Sequence, residues 1–320
     1  MMNLTCIAAL DGVTPEIVDN GFTKAVIFPV GPAVDLRSWL TQHRDHLRGL
    51  LRDHGCLLLR AAADDIESFG AAVKTFGGGM LEYTERSTPR TAVSGNIYTS
   101  TDYPADQPIL LHNENSYSDR WPERLHFYCD VVPAVGGATP IADSRAVLSL
   151  LPADVRKRFA AGVEYTRSYR DGLGLSWQEA FQAEDRGSVE AYCAGHGIEF
   201  EWAGDELRTR HRRPATQRDP HSGAEVWFNQ AHLFHFSSLE PEVSEVLLEL
   251  YGEDGLPRNA RFGDGQPIPA ADLAAVRDAY SRASLTVPWQ RGDILTIDNM
   301  LMAHGREPYS GPRRILVAMT

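Results

Sequence analysis

The sequence predicts a mainly β fold, an antiparallel barrel or jelly roll with helices around it, on three observations. From about residue 90 onward, short apolar segments recur between turn signals, as strands of a sandwich or barrel do. Two histidine-bearing segments, one at His112 and one ending at His304, stand about 190 residues apart, a separation that a closed β architecture brings together easily. No G-x-G-x-x-G or Walker loop supports the runner-up, a parallel βαβ sheet.

The elements follow in order. Asp35 opens a helical pattern with Leu36, Trp39, Leu40, Leu47, Leu50 and Leu51 on one stripe, and Gly55 is its stop signal. A strand is expected over Cys56–Leu59. Asp64 with Glu67 three residues on reads as a capping box for a helix that ends near Gly77-Gly78-Gly79. This helix–strand–helix opening, about residues 1–85, reads as a brace against a sheet. Strands are then expected over Thr91–Tyr98, Pro108–His112 and Arg124–Val132; in the last, Leu125, Phe127, Cys129 and Val131 share one side. Asp143 or Ser144 caps a short helix, and Pro152 suits the first turn of the next. Val163–Tyr169 returns to strand. Residues 170–200 read as an insertion of short helices, with a capping box at Ser176 and Glu179 and another start at Ser188. Strands follow over Ile198–Trp202, Leu207–Arg213 and Val226–Asn229, then a helix over Pro241–Tyr251 and another over Ala271–Ser284. The chain closes with strands over Leu285–Trp289, Ile294–Asp298 and Arg314–Met319.

Composition narrows the function classes. The 320 residues are 43% apolar and 23% charged, ordinary values for a globular protein. A net charge of −12 argues against an electrostatic grip on nucleic acid or anionic membrane. Cys6, Cys56, Cys129 and Cys193 form no C-x-x-C pair, which argues against a zinc knuckle and for buried, reduced thiols. No apolar run approaches the roughly 18–20 residues that cross a bilayer. No basic region precedes the Leu4–Leu10 stretch, so a signal peptide is not expected. The expected location is cytoplasmic.

The chemistry centres on Leu111-His112-Asn113-Glu114. Residues two apart on a strand share a side, so an imidazole and a carboxylate are expected together. The tripeptide alone is a weak signal. With His304 it makes two histidines and one carboxylate, the facial triad of non-haem Fe(II) oxygenases. A metal-dependent hydrolase and a non-catalytic barrel that binds a small acid are the competing readings.

Four segments in order carry a resemblance: His112-Asn113-Glu114; Gly136-Gly137-Ala138-Thr139-Pro140; Asp298-Asn299 with His304-Gly305-Arg306; and Gly311-Pro312-Arg313-Arg314-Ile315-Leu316. Together they resemble the TauD/TfdA family of Fe(II)- and 2-oxoglutarate-dependent dioxygenases, in its clavaminate synthase-like branch. The resemblance implies a single dioxygenase domain over 1–320 with a double-stranded β-helix core. It implies Fe(II) held by His112, Glu114 and His304, with 2-oxoglutarate and O2 as cosubstrates. It also implies that Arg314 grips the far carboxylate of 2-oxoglutarate, with Thr139 helping; the neighbouring Arg313 points to the other face, and only one of the two should enter the barrel. Related halogenases have a small residue in place of the carboxylate, so Glu114 argues for hydroxylation, desaturation or cyclisation.

The substrate is less determined. Arg86, Asn96, Asn115, Ser116 and Phe228 are candidates to surround it. The expectation is a small molecule, an amino acid or aminoacyl group of a natural-product (antibiotic) pathway, free or tethered to a carrier protein. His211 among Arg208, Arg210, Arg212 and Arg213 reads either as a solvated strand or as a docking patch for such a carrier. Asp298 and Asn299 are expected to orient His304.

Overall fold

The computed structural model describes residues 7–82, 91–100, 103–170 and 172–320. Its frame is an eight-stranded sheet in the order Glu16–Asp19, Lys24–Phe28, Cys56–Leu59, Ile294–Asp298, Arg124–Val131, Arg314–Met319, Ile97–Thr99, Ala92–Ser94. All neighbours pair antiparallel except Lys24–Phe28 with Cys56–Leu59, which run parallel. That parallel pair needs a crossover, and the helix Leu36–His54 supplies it. The opening is therefore strand–strand–helix–strand–helix. The two strands before the first helix escaped the sequence reading, although Lys24–Phe28 is apolar in four of its five residues.

Both faces of this sheet are covered. On the outer face Leu40, Leu47, Leu51, Phe69 and Val73 of two helices, Leu36–His54 and Ile66–Gly77, pack on Phe28, Leu57, Leu59, Tyr128 and Leu316. Burying each such side chain contributes roughly 1.5–3 kcal/mol. The caps are local. The Asp35 side chain accepts from Ser38 N, and Gly55 ends the helix at φ 74°. The second helix starts one residue later than expected: Asp65 caps it with Ser68, in place of Asp64 with Glu67. The start at Ser188 moves likewise to Asp185, which accepts from Ser188 N.

On the inner face a three-stranded sheet, Ile109–His112, Met302–Arg306 and Ile141–Asp143, lies against the large one. Leu125, Phe127, Cys129, Leu295, Ile297, Ile315 and Val317 of the large sheet meet Ile141 and Met302 between them. This is the jelly-roll sandwich. Behind the small sheet, Ala142 and Ala303 pack on Val163, Tyr165 and Trp227 and on Leu273 and Val276 of the helix Ala270–Ala283. Val163–Tyr169 there belongs to a four-stranded sheet with Glu199–Ala203, Glu206–Arg213 and Arg258–Phe262. The strand expected over Leu285–Trp289 reduces to one bridge, Leu285 with Ile141. No helix among the described residues is long and apolar enough to cross a membrane.

His126 lies opposite Leu125 and Phe127, but it is buried. The cause is the helical layer, which covers the second face of its strand. Its nitrogens meet the Thr296 and Thr320 hydroxyls at 2.9 and 3.1 Å. Burial pushes its pKa down from 6.5 to about 3, so the folded protein holds it neutral. The folded state binds fewer protons than the unfolded state. The stabilisation is therefore complete above about pH 6.5 and is lost as pH falls toward 3. Near pH 5 the loss is on the order of 2 kcal/mol. Urea unfolding of wild type and His126→Gln near pH 7 and pH 5 tests this: the variant is expected to show a smaller loss on acidification.

Candidate metal centre and active site

The small sheet builds the site. His112 ends the strand Ile109–His112, and His304 sits in the middle of Met302–Arg306. The two are direct partners in the antiparallel register, so both imidazoles leave the sheet on one side, with ring centroids 4.5 Å apart. Glu114 lies just past the strand end. Its Oε2 is 3.8 Å from His112 Nε2 and 3.7 Å from His304 Nε2. The three ligand atoms lie within 4.8 Å of one another. Glu114 and His304 are buried.

The chemistry of this donor set fits a divalent transition metal. His112 Nδ1 is 2.8 Å from the Leu110 carbonyl. A carbonyl only accepts, so Nδ1 carries the proton and Nε2 offers its lone pair toward Glu114. A buried carboxylate beside two imidazoles would be costly if unpaired, and a cation among them removes that cost. Two nitrogens and one oxygen, arriving from one side, leave the rest of a coordination sphere open.

Asn299 fixes the turn that carries Glu114. Its Oδ1 accepts from Glu114 N at 2.7 Å, and its Nδ2 donates to the Glu114 and Pro122 carbonyls, both at 2.9 Å. Asn113 reaches back to the Asn299 carbonyl at 2.7 Å, and Gln230 donates to the Asn113 carbonyl at 2.7 Å. Asn299 is expected from the sequence to orient His304; its side-chain hydrogen bonds instead hold the glutamate turn. Asp298 accepts from Met300 N and Leu301 N and shapes the turn that leads to His304.

A cavity opens beside the triad. Phe127, Ile315 and Val317 of the large sheet wall it, together with Thr139 and Arg313. Phe127 packs on His304 with ring centroids 5.2 Å apart. Thr139 Oγ1 accepts from Trp289 Nε1 at 3.3 Å. Arg313 donates from Nε to the Gly137 carbonyl at 2.8 Å and from Nη1 to Ser100 Oγ at 3.2 Å, which leaves Nη2 without a bond to any described residue. Burial and the charge of Arg306 pull its pKa down to about 10, so it stays cationic at neutral pH. Gly137 must be glycine here: its φ is 70°, and a Cβ would stand 2.9 Å from Tyr309 Cβ and 3.1 Å from Arg313 Cδ.

Arg314 does not enter the barrel, which corrects the expectation for it. Its side chain is exposed and donates to Asp130 Oδ2 at 2.9 Å. Arg313 shares the inward side with Ile315 and Val317, whereas Arg314 shares the outward side with Leu316. Alternation could have separated the two, but Ile315–Met319 is apolar on both faces and hides the period of two.

The substrate candidates scatter. Arg86 lies outside the described residues. Asn96 donates to the Met80 carbonyl at 3.0 Å and faces a different cleft, beside Arg37 and Glu67. Ser116 caps its own turn by donating to the Asn113 carbonyl. Phe228 is buried with Trp121 and Leu301. Asn115 stays next to Glu114, at φ 53° with its side chain accepting from Tyr117. On the basic strand Arg210 pairs with Glu199 and Arg212 with Glu164, while His211 is buried against the Tyr117 carbonyl.

Comparison with known proteins places the chain in a family. Residues 23–320 match the family described as "Taurine catabolism dioxygenase TauD, TfdA family". The dapdiamide synthesis protein DdaC of Enterobacter agglomerans is 42% identical over 273 residues, which cover 84% of this chain and 83% of that protein. A clavaminate synthase-like protein of Arabidopsis thaliana is 30% identical over 290 residues, 86% of this chain and 84% of that protein. Among solved structures, PvcB of Pseudomonas aeruginosa superposes with TM-score 0.59 at 18% identity, over 100% of this chain and 94% of that one. PvcB is described as an Fe, α-ketoglutarate-dependent oxygenase from an isonitrile synthetic pathway. AAD-2, solved with Mn(II) and N-oxalylglycine, superposes with TM-score 0.55 at 14% identity, over 96% of each chain. The chain belongs to the TauD/TfdA family and is an Fe(II)- and 2-oxoglutarate-dependent dioxygenase with a jelly-roll core.

Proposed function

We propose that His112, Glu114 and His304 hold the ferrous ion, that Arg313 with Thr139 grips 2-oxoglutarate, and that the enzyme hydroxylates a C–H bond of a small substrate. The substrate class we infer is an amino acid or aminoacyl group, free or carrier-tethered, in a cytoplasmic natural-product pathway. The observation that carries the reading is the convergence of the triad and Arg313 on one cavity. The dapdiamide and isonitrile pathways of DdaC and PvcB support the pathway class. The first 85 residues brace the outer face of the same domain in this reading.

Iron held there with 2-oxoglutarate would activate O2, one oxygen atom going to succinate as CO2 leaves and the other into the substrate C–H bond. The chain does the rest. His112 Nε2, His304 and Glu114 occupy one side of the metal and leave the other side to cosubstrate and oxygen. The Arg313 guanidinium offers a planar, charged partner to a carboxylate in an apolar cavity, where such a bond is strengthened. Phe127, Ile315 and Val317 keep water from the reacting centre. Desaturation or cyclisation would use the same residues, and product analysis separates them from hydroxylation.

Arg313→Ala is expected to weaken 2-oxoglutarate binding by on the order of 100-fold, because it removes one member of a buried charge pair worth roughly 2–5 kcal/mol. Arg314→Ala is expected to leave it within about twofold, since an exposed ion pair is worth ~1 kcal/mol or less. Succinate release as a function of 2-oxoglutarate concentration measures both, and the reverse order would refute the Arg313 assignment. Asn299→Ala is expected to lower Fe(II) affinity roughly 10–100-fold by loosening the Glu114 turn. Fe(II) titration of the metal-free variant checks it; unchanged affinity would show that the turn holds without that clamp.

A further inference from the structure

A second cationic site lies behind the triad. Arg167 and Arg258 are direct cross-strand partners on the four-stranded sheet, so both guanidiniums leave it on the same side. They enter a cavity of about 270 Å³ whose other walls are mostly apolar, including Phe234, Phe236, Leu239 and Leu247. On the opposite face of that sheet the arginines meet acids: Arg212 meets Glu164, and Arg261 meets Glu253 and Asp254. Arg258 has no such partner among the described residues. Its guanidinium lies 5.6 Å from the Phe234 ring centroid. Burial and the Arg167 charge lower its pKa.

Two buried aromatic rings stand between this cavity and the turn that carries Glu114. Phe234, in its wall, packs on Tyr117 with ring centroids 4.9 Å apart, and Tyr117 stands three residues past Glu114. Arg258 also feels the Tyr117 and Tyr103 hydroxyls electrostatically, and the Tyr103 carbonyl is held by Arg306 on the distal-histidine strand. We propose that Arg258, with Arg167 beside it, binds an oxyanion on the substrate at the end remote from the reacting carbon. The inference rests on the functional reading above and gives its substrate a charge. Two adjacent guanidiniums with apolar walls suit a carboxylate or phosphate group on an otherwise apolar chain. Such a group would be the free carboxylate of an acylated amino acid or the phosphate of a pantetheine arm.

Calorimetry on the Fe(II) enzyme, loaded anaerobically with N-oxalylglycine, separates the two sources. One matched pair is a panel of N-acetyl-L-amino acids against their amides. The other is aminoacyl-4′-phosphopantetheine thioesters against the same thioesters of unphosphorylated pantetheine. In at least one pair the charged member is expected to bind tenfold or more tightly, and that pair identifies the source. Arg258→Gln should reduce the preference to within twofold, and Arg258→Lys should keep part of it. The proposal is overturned if wild type prefers neither charged member, or if Arg258→Gln keeps the full preference. The visible Fe(II)–2-oxoglutarate band is read in parallel: Arg258→Gln should form it normally, whereas its absence from wild type would count against the metal-site reading instead.

Discussion

The site depends on one pairing, His304 opposite His112 in a three-stranded sheet. These residues are 192 apart in the chain, and only the closure of the sandwich brings them into register. Once they are opposed, both imidazoles leave on the same side, and the turn after His112 delivers Glu114 between them. Asn299 then ties that turn to the loop leading to His304, so both arms of the triad share one network of buried hydrogen bonds. Buried networks of this kind are costly when broken and rigid when complete, which is what a metal site needs.

The layers around the sandwich explain why the site is firmly held. Two helices cover the outer face of the large sheet, and a second core lies behind the small one. The small sheet is thereby clamped from both sides. Its strands can carry the polar ligands His112 and His304 because the apolar work is done elsewhere, by Phe127 and Ile315 on one side and Ala142 and Ala303 on the other.

Much of this was legible in the sequence where a motif encodes geometry. The H-x-E segment, the Gly136-Gly137 turn and the distal His304 each force a local shape, and the structure gathers them at one centre. Legibility failed where both faces of a strand are buried. In Ile315–Met319 no alternation remains, so the inward arginine could not be told from its neighbour. The strand Lys24–Phe28 was missed although Asn20-Gly21, with Gly21 at φ 90°, marks the turn from its antiparallel partner. The pairing of Arg210 and Arg212 was hidden for another reason: their acidic partners, Glu199 and Glu164, come from other strands.

The most direct test of the account is anaerobic. Fe(II) and 2-oxoglutarate are added to the metal-free protein, and the weak visible charge-transfer band of the chelated pair is recorded for wild type, His304→Ala and Glu114→Ala. The account predicts the band in wild type and its loss or strong weakening in both variants, with all three folded. A folded wild type without the band, or variants that keep it at full strength, would contradict the assignment of His112, Glu114 and His304 to the iron.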